Sequence, residues 1–230
     1  EMDPAYGLAY AGLADSYNTL GFWRFLPANE AMQKTMAAAT KALEIDDQLA
    51  EAYSSLAYVK YLFDWNWSGA ESDFKRAIAL NPGYSTVHQY YSEYLRSVGR
   101  LDEAVTEITR AQELDPLSLI INAFAVLVYI SEHRYDQAIE QSRKTLEIDA
   151  NFYPAHLFLG IAYEQKGMFE EAITEFQKAV SLSDSSALAF GELGHGYAVS
   201  GRTDEALKLL DGFNDPSKYK NVSPFDIAKI

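Results

Sequence analysis

Alanine recurs at Ala70, Ala104, Ala138, Ala172 and Ala206, one every 34 residues, and this phase constrains the fold more than any other feature. Tyr129, Tyr163 and Tyr197 keep the same step. Pro82 and Pro116 repeat it once, and Gly99, Gly167 and Gly201 fall two and then one interval apart. Five alanines in strict phase mark an array of one supersecondary unit. The chain's 230 residues hold a little under seven such periods.

Each period predicts two helices. Residues 153–166 carry Leu159, Ile161, Ala162 and Tyr163 and close on Gly167, a C-terminal glycine. Residues 169–182 follow, with Ala172, Ile173, Phe176, Ala179 and Val180 on one stripe at helical spacing. Asp184 and its neighbouring serines then break the chain. The same reading gives helices over 86–97 and 101–114, and over 187–200 and 203–210, parted by Gly99-Arg100 and Gly201-Arg202. Ser68-x-x-Glu71 reads as a capping box, Thr203 precedes an acidic pair, and Ser223 precedes Pro224. No stretch alternates apolar and polar residues long enough to predict a strand.

The array resembles tetratricopeptide repeats. In the fifth unit Leu159-Gly160, Tyr163, Gly167, Ala172, Phe176 and Ala179 fill that motif's slots in order. The sixth repeats Leu193-Gly194, Tyr197, Gly201 and Ala206, but has Leu210 for the aromatic and Phe213 for a small residue, which predicts an early end to its second helix. The resemblance implies an all-α fold, a right-handed α-α superhelix of six helix pairs plus a partial seventh. The whole of 1–230 then forms one array, with units near 7–47, 48–82, 85–116, 119–150, 153–184 and 187–220 and a partial helix over 221–230.

The motif has a physical basis. Helices that cross at about 8–10 Å need small side chains at the crossing. Ala14, Ala57, Ser92, Gly160 and Gly194 supply them on first helices, and the periodic alanines supply them on second helices. One hairpin cannot bury its apolar face alone, so neighbours must stack. Glu1-Met2-Asp3-Pro4 repeats the wording of Glu113-Leu114-Asp115-Pro116, the tail of a second helix, and 221–230 reads as the start of a first helix. The sequence therefore predicts a fragment of a longer protein.

Three units depart from the pattern. About nine extra residues around Phe22-Trp23-Arg24-Phe25-Leu26-Pro27 predict an aromatic flap over the first hairpin, with a binding loop as the alternative. Trp65-Asn66-Trp67 predicts a staple over a helix start, or a stacking platform for a ligand. The fourth unit's first helix, 119–130, has Asn122 as its only strongly polar residue, Val126 at a small slot, and His133 at the glycine slot that follows. A helix apolar all round demands cover on every side, from the array, from a second copy, or from another partner.

In tetratricopeptide arrays the first helices line a concave groove. The resemblance implies that groove residues here include Ile120, Ala123, Leu127 and Ile130, flanked by Tyr58 and Tyr61, by Gln89, Glu93 and Arg96, by Leu157, Ile161 and Glu164, and by His195. Family members that grip a C-terminal carboxylate use Lys, Arg and Asn on adjacent first helices. Ala11, Asp15, Ser54 and Tyr58 stand there instead, so an acidic tail is disfavoured and an amphipathic helix or extended apolar segment suits the groove better.

No catalytic constellation emerges. His88, His133, His156 and His195 are scattered, without His-x-x-x-His or His-Glu-x-x-His, so core packing is the reading for the first and third and no metal is expected. Gly191-x-x-Gly194-x-Gly196 lies inside a helix and cannot cradle phosphate; Ser72-x-x-Lys75 lies on a second helix's surface. Nineteen basic against thirty-three acidic residues give a net charge of −14, which disfavours direct nucleic-acid binding. No apolar run is long enough to span a bilayer, and the absence of cysteine fits a cytoplasmic setting.

The expected function is a scaffold, without enzymatic activity or cofactor, that binds a protein or peptide. The alternatives are homodimerisation and a regulatory or sensor role. The wording around Asp64-Trp65-Asn66-Trp67 and Leu114-Asp115-Pro116 is similar to bacterial arrays attached to winged-helix regulators, adenylate cyclases or protein kinases.

Overall fold

Helix hairpins make up the whole of the computed structural model, which describes residues 6–183, 186–213, 222 and 224–230. The readings made at residues 1–4, Asp184, Asn221 and Ser223 lie outside the described residues. The helices are α1 (Gly7–Phe22), α2 (Ala28–Ile45), α3 (Ala50–Leu62), α4 (Trp67–Leu80), α5 (Ser85–Ser97), α6 (Leu101–Leu114), α7 (Leu119–Ser131), α8 (Tyr135–Ile148), α9 (Tyr153–Gln165), α10 (Phe169–Leu182), α11 (Ala187–Val199), α12 (Thr203–Phe213) and α13 (Pro224–Lys229). No strand occurs among the described residues. The chain divides into two compact halves, Glu1–Pro116 and Leu117–Ile230. Within each, odd-numbered helices pack side by side, and all but α13, which lies on α11, are backed by an even-numbered partner.

The periodic alanines sit where helices cross. Ala70, Ala104, Ala138 and Ala172 have no exposed surface and Ala206 almost none. At the next crossing, a Cβ added to Gly160 would lie 2.5 Å from the Phe176 ring, so glycine is what lets α9 approach α10. The fourth unit reverses these sizes: Val126 takes the glycine's position and Ser142 takes the phenylalanine's, both buried. The departure read in the sequence at Val126 is thus matched by a smaller residue across the pair, which keeps the packed volume roughly constant.

One turn recurs at the end of first helices. Gly99, Gly167 and Gly201 have φ of +79°, +79° and +81°. In each case the next residue's amide donates back to a carbonyl in the last helical turn, as from Arg100 to Leu95, Met168 to Tyr163 and Arg202 to Tyr197. His133 occupies this slot in the fourth unit with φ +58°, and Arg134 donates to Tyr129 in the same pattern. A side chain in the left-handed region costs about 1 kcal/mol relative to glycine.

Three local readings need correction. The extra residues of the first unit do not form a long flap: α1 has 16 residues and α2 has 18, against 13 and 14 in α5 and α6, so most of the insertion is helix. Phe22 and Trp23 pack edge to face at 5.0 Å while Phe25 is exposed. The cap of α4 is Asn66, whose side chain accepts from the Gly69 amide, and not Ser68. Glu71 instead accepts from Arg100 at 2.6 Å, and Arg100 with Lys75 holds its carboxyl down to about 2. Finally, Trp67 packs near Tyr61 and Tyr94, while Trp65, 71% exposed with φ +54°, reaches only the edge of the Trp67 ring at 6.1 Å. As for α12, it is described as far as Phe213, three residues past Leu210.

Candidate functional site

The expected wall residues divide between the halves, and the two groups differ in chemistry. In the first half, Tyr58 and Tyr61 on α3 meet Gln89, Glu93 and Arg96 on α5. Tyr58 Oη donates to one Glu93 carboxylate oxygen at 3.1 Å, and Gln89 Nε2 donates to the other at 3.1 Å. Tyr61 Oη and Ser97 Oγ lie 2.6 Å apart. Tyr58 stacks on Tyr90 with ring centroids 3.9 Å apart, and Tyr90 Oη donates to Asp15 of α1 at 2.6 Å. All five predicted residues are therefore brought together, joined by Asp15, Tyr90 and Ser97.

Burial sets the electrostatics of this cluster. Glu93 is 3% exposed, and burial pushes its carboxyl up to about 7 against the hydrogen bonds from Gln89 and Tyr58 and the nearby Arg96 guanidinium. Burial likewise raises Asp15, opposed by the Tyr90 hydroxyl. Tyr58 and Tyr90 are held well above the ordinary tyrosine range, by burial first and by the neighbouring carboxylates second. Arg96 Nε is buried without a hydrogen-bond partner. The polar groups here otherwise satisfy one another, and little of Tyr58, Gln89 or Glu93 reaches the surface.

In the second half, Ile120, Leu127 and Ile130 of α7 are each half-buried, as is Ile161 of α9. Ala123 and Leu157 are 0% exposed and belong to the core, so they present no surface to a ligand. The packing of α7 against α8 and α9 covers residues 121–126 and Val128, which supplies most of the cover its composition demands. Asn122, its polar exception, accepts from Gln141 of α8 at 3.1 Å. The polar edge is Glu164 of α9, which pairs with His195 Nδ1 of α11 at 3.0 Å. Leu117, just ahead of α7, is 72% exposed.

One recurring feature escaped the sequence reading. His88 Nδ1 lies 2.6 Å from Glu107 and His156 Nδ1 lies 2.6 Å from Glu175. Their Nε2 atoms approach the Pro82 and Ala150 carbonyls at 3.2 and 3.0 Å. Asn122 and Gln141 are the third example of a pair 19 residues apart, joining a first helix to its own second helix. These are hairpin braces, and the packing role expected of both histidines is met by hydrogen bonds as well as burial. The hydrogen bond to the Glu175 carboxylate holds His156 above its ordinary value, opposed by burial and aided by the Ala150 carbonyl.

Among the described residues no group of three His, Asp or Glu side chains could hold a metal ion. Nor is any described helix long and apolar enough to cross a membrane.

Residues 129–189 match the family model for the tetratricopeptide repeat. The transcriptional regulator HilA of Salmonella typhimurium is 29% identical over 115 residues, which is 50% of this chain and 21% of the regulator. The chain thus spans about a fifth of the length of that curated relative. A structure of Pseudomonas aeruginosa pilF superposes with a TM-score of 0.61 at 19% identity, covering 96% of this chain and 97% of that one. TTC0263, described as a thermophilic TPR protein of Thermus thermophilus, gives a TM-score of 0.67 at 19% identity, covering 80% and 99%. The fold is that of the tetratricopeptide solenoids.

Proposed function

We propose that the chain is a non-catalytic scaffold that holds a peptide or a partner domain against its first helices. The principal contact is the aliphatic surface of α7 and α9: Ile120, Leu127, Ile130 and Ile161. The observation that carries this reading is that these four side chains stay partly exposed on helices whose residues 121–126, 128 and 154–160 are buried. Burying such a surface stabilises a complex by roughly 25 cal/mol per Å² of apolar area. Glu164 and His195 supply a polar edge that sets register, and Tyr58, Tyr61, Gln89, Glu93 and Arg96 form a second wall whose role is to shape the first half. Repeat scaffolds of this kind vary in ligand while keeping their fold, so the partner is a protein segment defined by apolar side chains at helical or extended spacing.

The test is a photo-crosslinking residue placed at Ile130 in the cell, with a matched one at Lys144 on the outer surface of α8. A single protein crosslinked from Ile130 and not from Lys144 supports the reading. Equal labelling from both positions, or capture that survives Leu127→Asp in a folded chain, ends it.

A second reading takes the chain as the regulatory part of a larger transcription regulator, favoured by the similarity to HilA. DNA contact would then belong to another region, since this one carries a net charge of −14. Self-association into a homodimer is the competing use of the same α7 surface. Sedimentation across concentration separates it, because a strict monomer at 100 µM (a concentration of order 10⁻⁴ M, roughly a hundredfold above a 1 µM dimer constant) removes it.

A further inference from the structure

The turn that closes α3 departs from its equivalents. Trp65 falls in phase with Gly99, His133, Gly167 and Gly201, and like them it has positive φ, at +54°. An indole is disfavoured in the left-handed region that glycine enters freely. The slot also projects outward: a Cβ built on Gly99, Gly167 or Gly201 meets nothing within 4 Å. Trp65 and His133, the two occupants with side chains, are both exposed. The α3 turn is one residue longer than the rest, with Asn66 donating to Lys60 where Arg100 donates to Leu95.

The three aromatic residues of this turn divide. Phe63 lies against α1, 3.7 Å from where a Cβ on Gly21 would stand. Trp67 is half-buried beside Tyr61 and Tyr94, at 6.0 and 6.2 Å between ring centroids. Trp65 meets one ring, that of Trp67, at an interplanar angle of 62°. Most of its own surface stays open.

Charge decides what suits that surface. Asp64 is the one charged residue in 63–69; it is exposed and makes no ion pair among the described residues. The C-terminus of α3 and the N-terminus of α4 meet here, so their end charges offset and Asp64 sets the sign. The other turns show the matching contact. Arg100, Arg134 and Arg202 follow the slot in the third, fourth and sixth units, and Arg134 and Arg202 lie over the Tyr129 and Tyr197 rings at 5.2 and 4.6 Å. In the second unit Asn66 holds that position and is spent on the Gly69 amide. The unit without its own guanidinium there exposes an indole beside a carboxylate.

We propose that Trp65 and Asp64 dock an arginine side chain of a partner protein, its guanidinium stacked on the indole and paired with the carboxylate. A planar, weakly hydrated guanidinium suits a ring face better than an ammonium does. An aliphatic side chain would cover the indole and leave Asp64 unpaired. The contact belongs to the first half and stands independently of the α7 and α9 surface.

Tryptophan occurs only at Trp23, Trp65 and Trp67, so a nitrogen–proton correlation spectrum shows three indole signals. Trp65→Gly assigns one of them. It also installs the residue used at Gly99, Gly167 and Gly201, so the melting temperature should hold or rise. The probe is the peptide acetyl-Ala-Arg-Ala-Arg-Ala-amide. We expect the Trp65 and Trp67 signals to shift saturably at millimolar peptide, and Trp65→Gly to abolish the shift at Trp67. Asp64→Asn should raise the half-saturating concentration about threefold. Lysine in place of arginine should weaken binding, and citrulline, planar but uncharged, should remove it. The inference is overturned by a Trp65 signal unmoved at tens of millimolar peptide, or by equal shifts from the lysine or citrulline peptide. Shifts as large at the amides of the exposed acids Glu113 and Glu171 would overturn it as mere charge attraction. A fall in melting temperature for Trp65→Gly would overturn it by making the indole structural.

Discussion

The wall of α1, α3 and α5 and the wall of α7, α9 and α11 stand on the same repeat and use it in opposite ways. In the first, Asp15, Tyr58, Gln89, Tyr90 and Glu93 turn their polar atoms to one another, and all but Asp15 are buried. In the second, Ile120, Leu127, Ile130 and Ile161 keep part of their aliphatic surface outside, with the Glu164–His195 pair at the edge. The same backbone framework therefore tolerates a polar wall committed to its own stability and an apolar wall with surface to spare. Position in the repeat decides which residues face the wall. Side-chain chemistry decides whether that face remains available.

The difference can be broken most sharply at Glu93. Burial pushes its folded carboxyl up to about 7 from the ordinary 4.5, so the folded state prefers the protonated form. That preference is fully present below about pH 4.5 and is lost as pH rises through 7. Glu93→Gln removes the ionisation, and we expect the variant to be more stable than the parent by about 3 kcal/mol at pH 8 and nearly equal to it at pH 4.5. Urea denaturation at the two values checks this; a variant less stable at pH 8 would show that the ionised carboxylate is what holds α3 to α5.

A smaller effect comes from deleting one hydroxyl. Tyr90→Phe leaves the half-buried Asp15 without its donor and should cost about 2 kcal/mol. Leu127→Ser on the other wall should cost less than that, because Leu127 is already partly exposed. Equal losses in thermal melts would erase the distinction between a structural wall and an available one.

The smallest test compares one slot in both halves. Gly99 and His133 adopt φ of +79° and +58° at equivalent turns. His133→Gly should gain about 1 kcal/mol and Gly99→His should lose a similar amount. A loss at His133→Gly would mean that its contact with the Tyr135 hydroxyl, 2.7 Å from Nδ1, outweighs the backbone term.

Much of this was legible in the sequence. The period predicts helix pairs throughout, α6 and α10 match their predicted ranges to the residue, and the departure at the glycine slot of the fourth unit is His133 with φ +58°. Periodicity reports which face a residue takes; it does not report which polar group waits across the contact. Hence Glu71 read as a capping residue when Arg100, 29 positions away, claims it. The His88–Glu107 and His156–Glu175 braces were visible only as a spacing, and Leu157 was assigned to a surface that its neighbours in fact cover. The extra residues of the first unit were read as loop because the motif fixes helix lengths, yet nothing prevents a hairpin from lengthening both arms together.

The mutual hydrogen bonding of the first wall has a consequence for how the protein can change. Glu93 accepts from both Tyr58 and Gln89, so replacing it with a side chain that cannot accept strands both donors, and an altered recognition there needs coordinated substitutions. The aliphatic residues of α7 share no such obligations and can drift singly. On the proposed reading, new binding preferences accumulate on α7 while the tyrosine lattice persists.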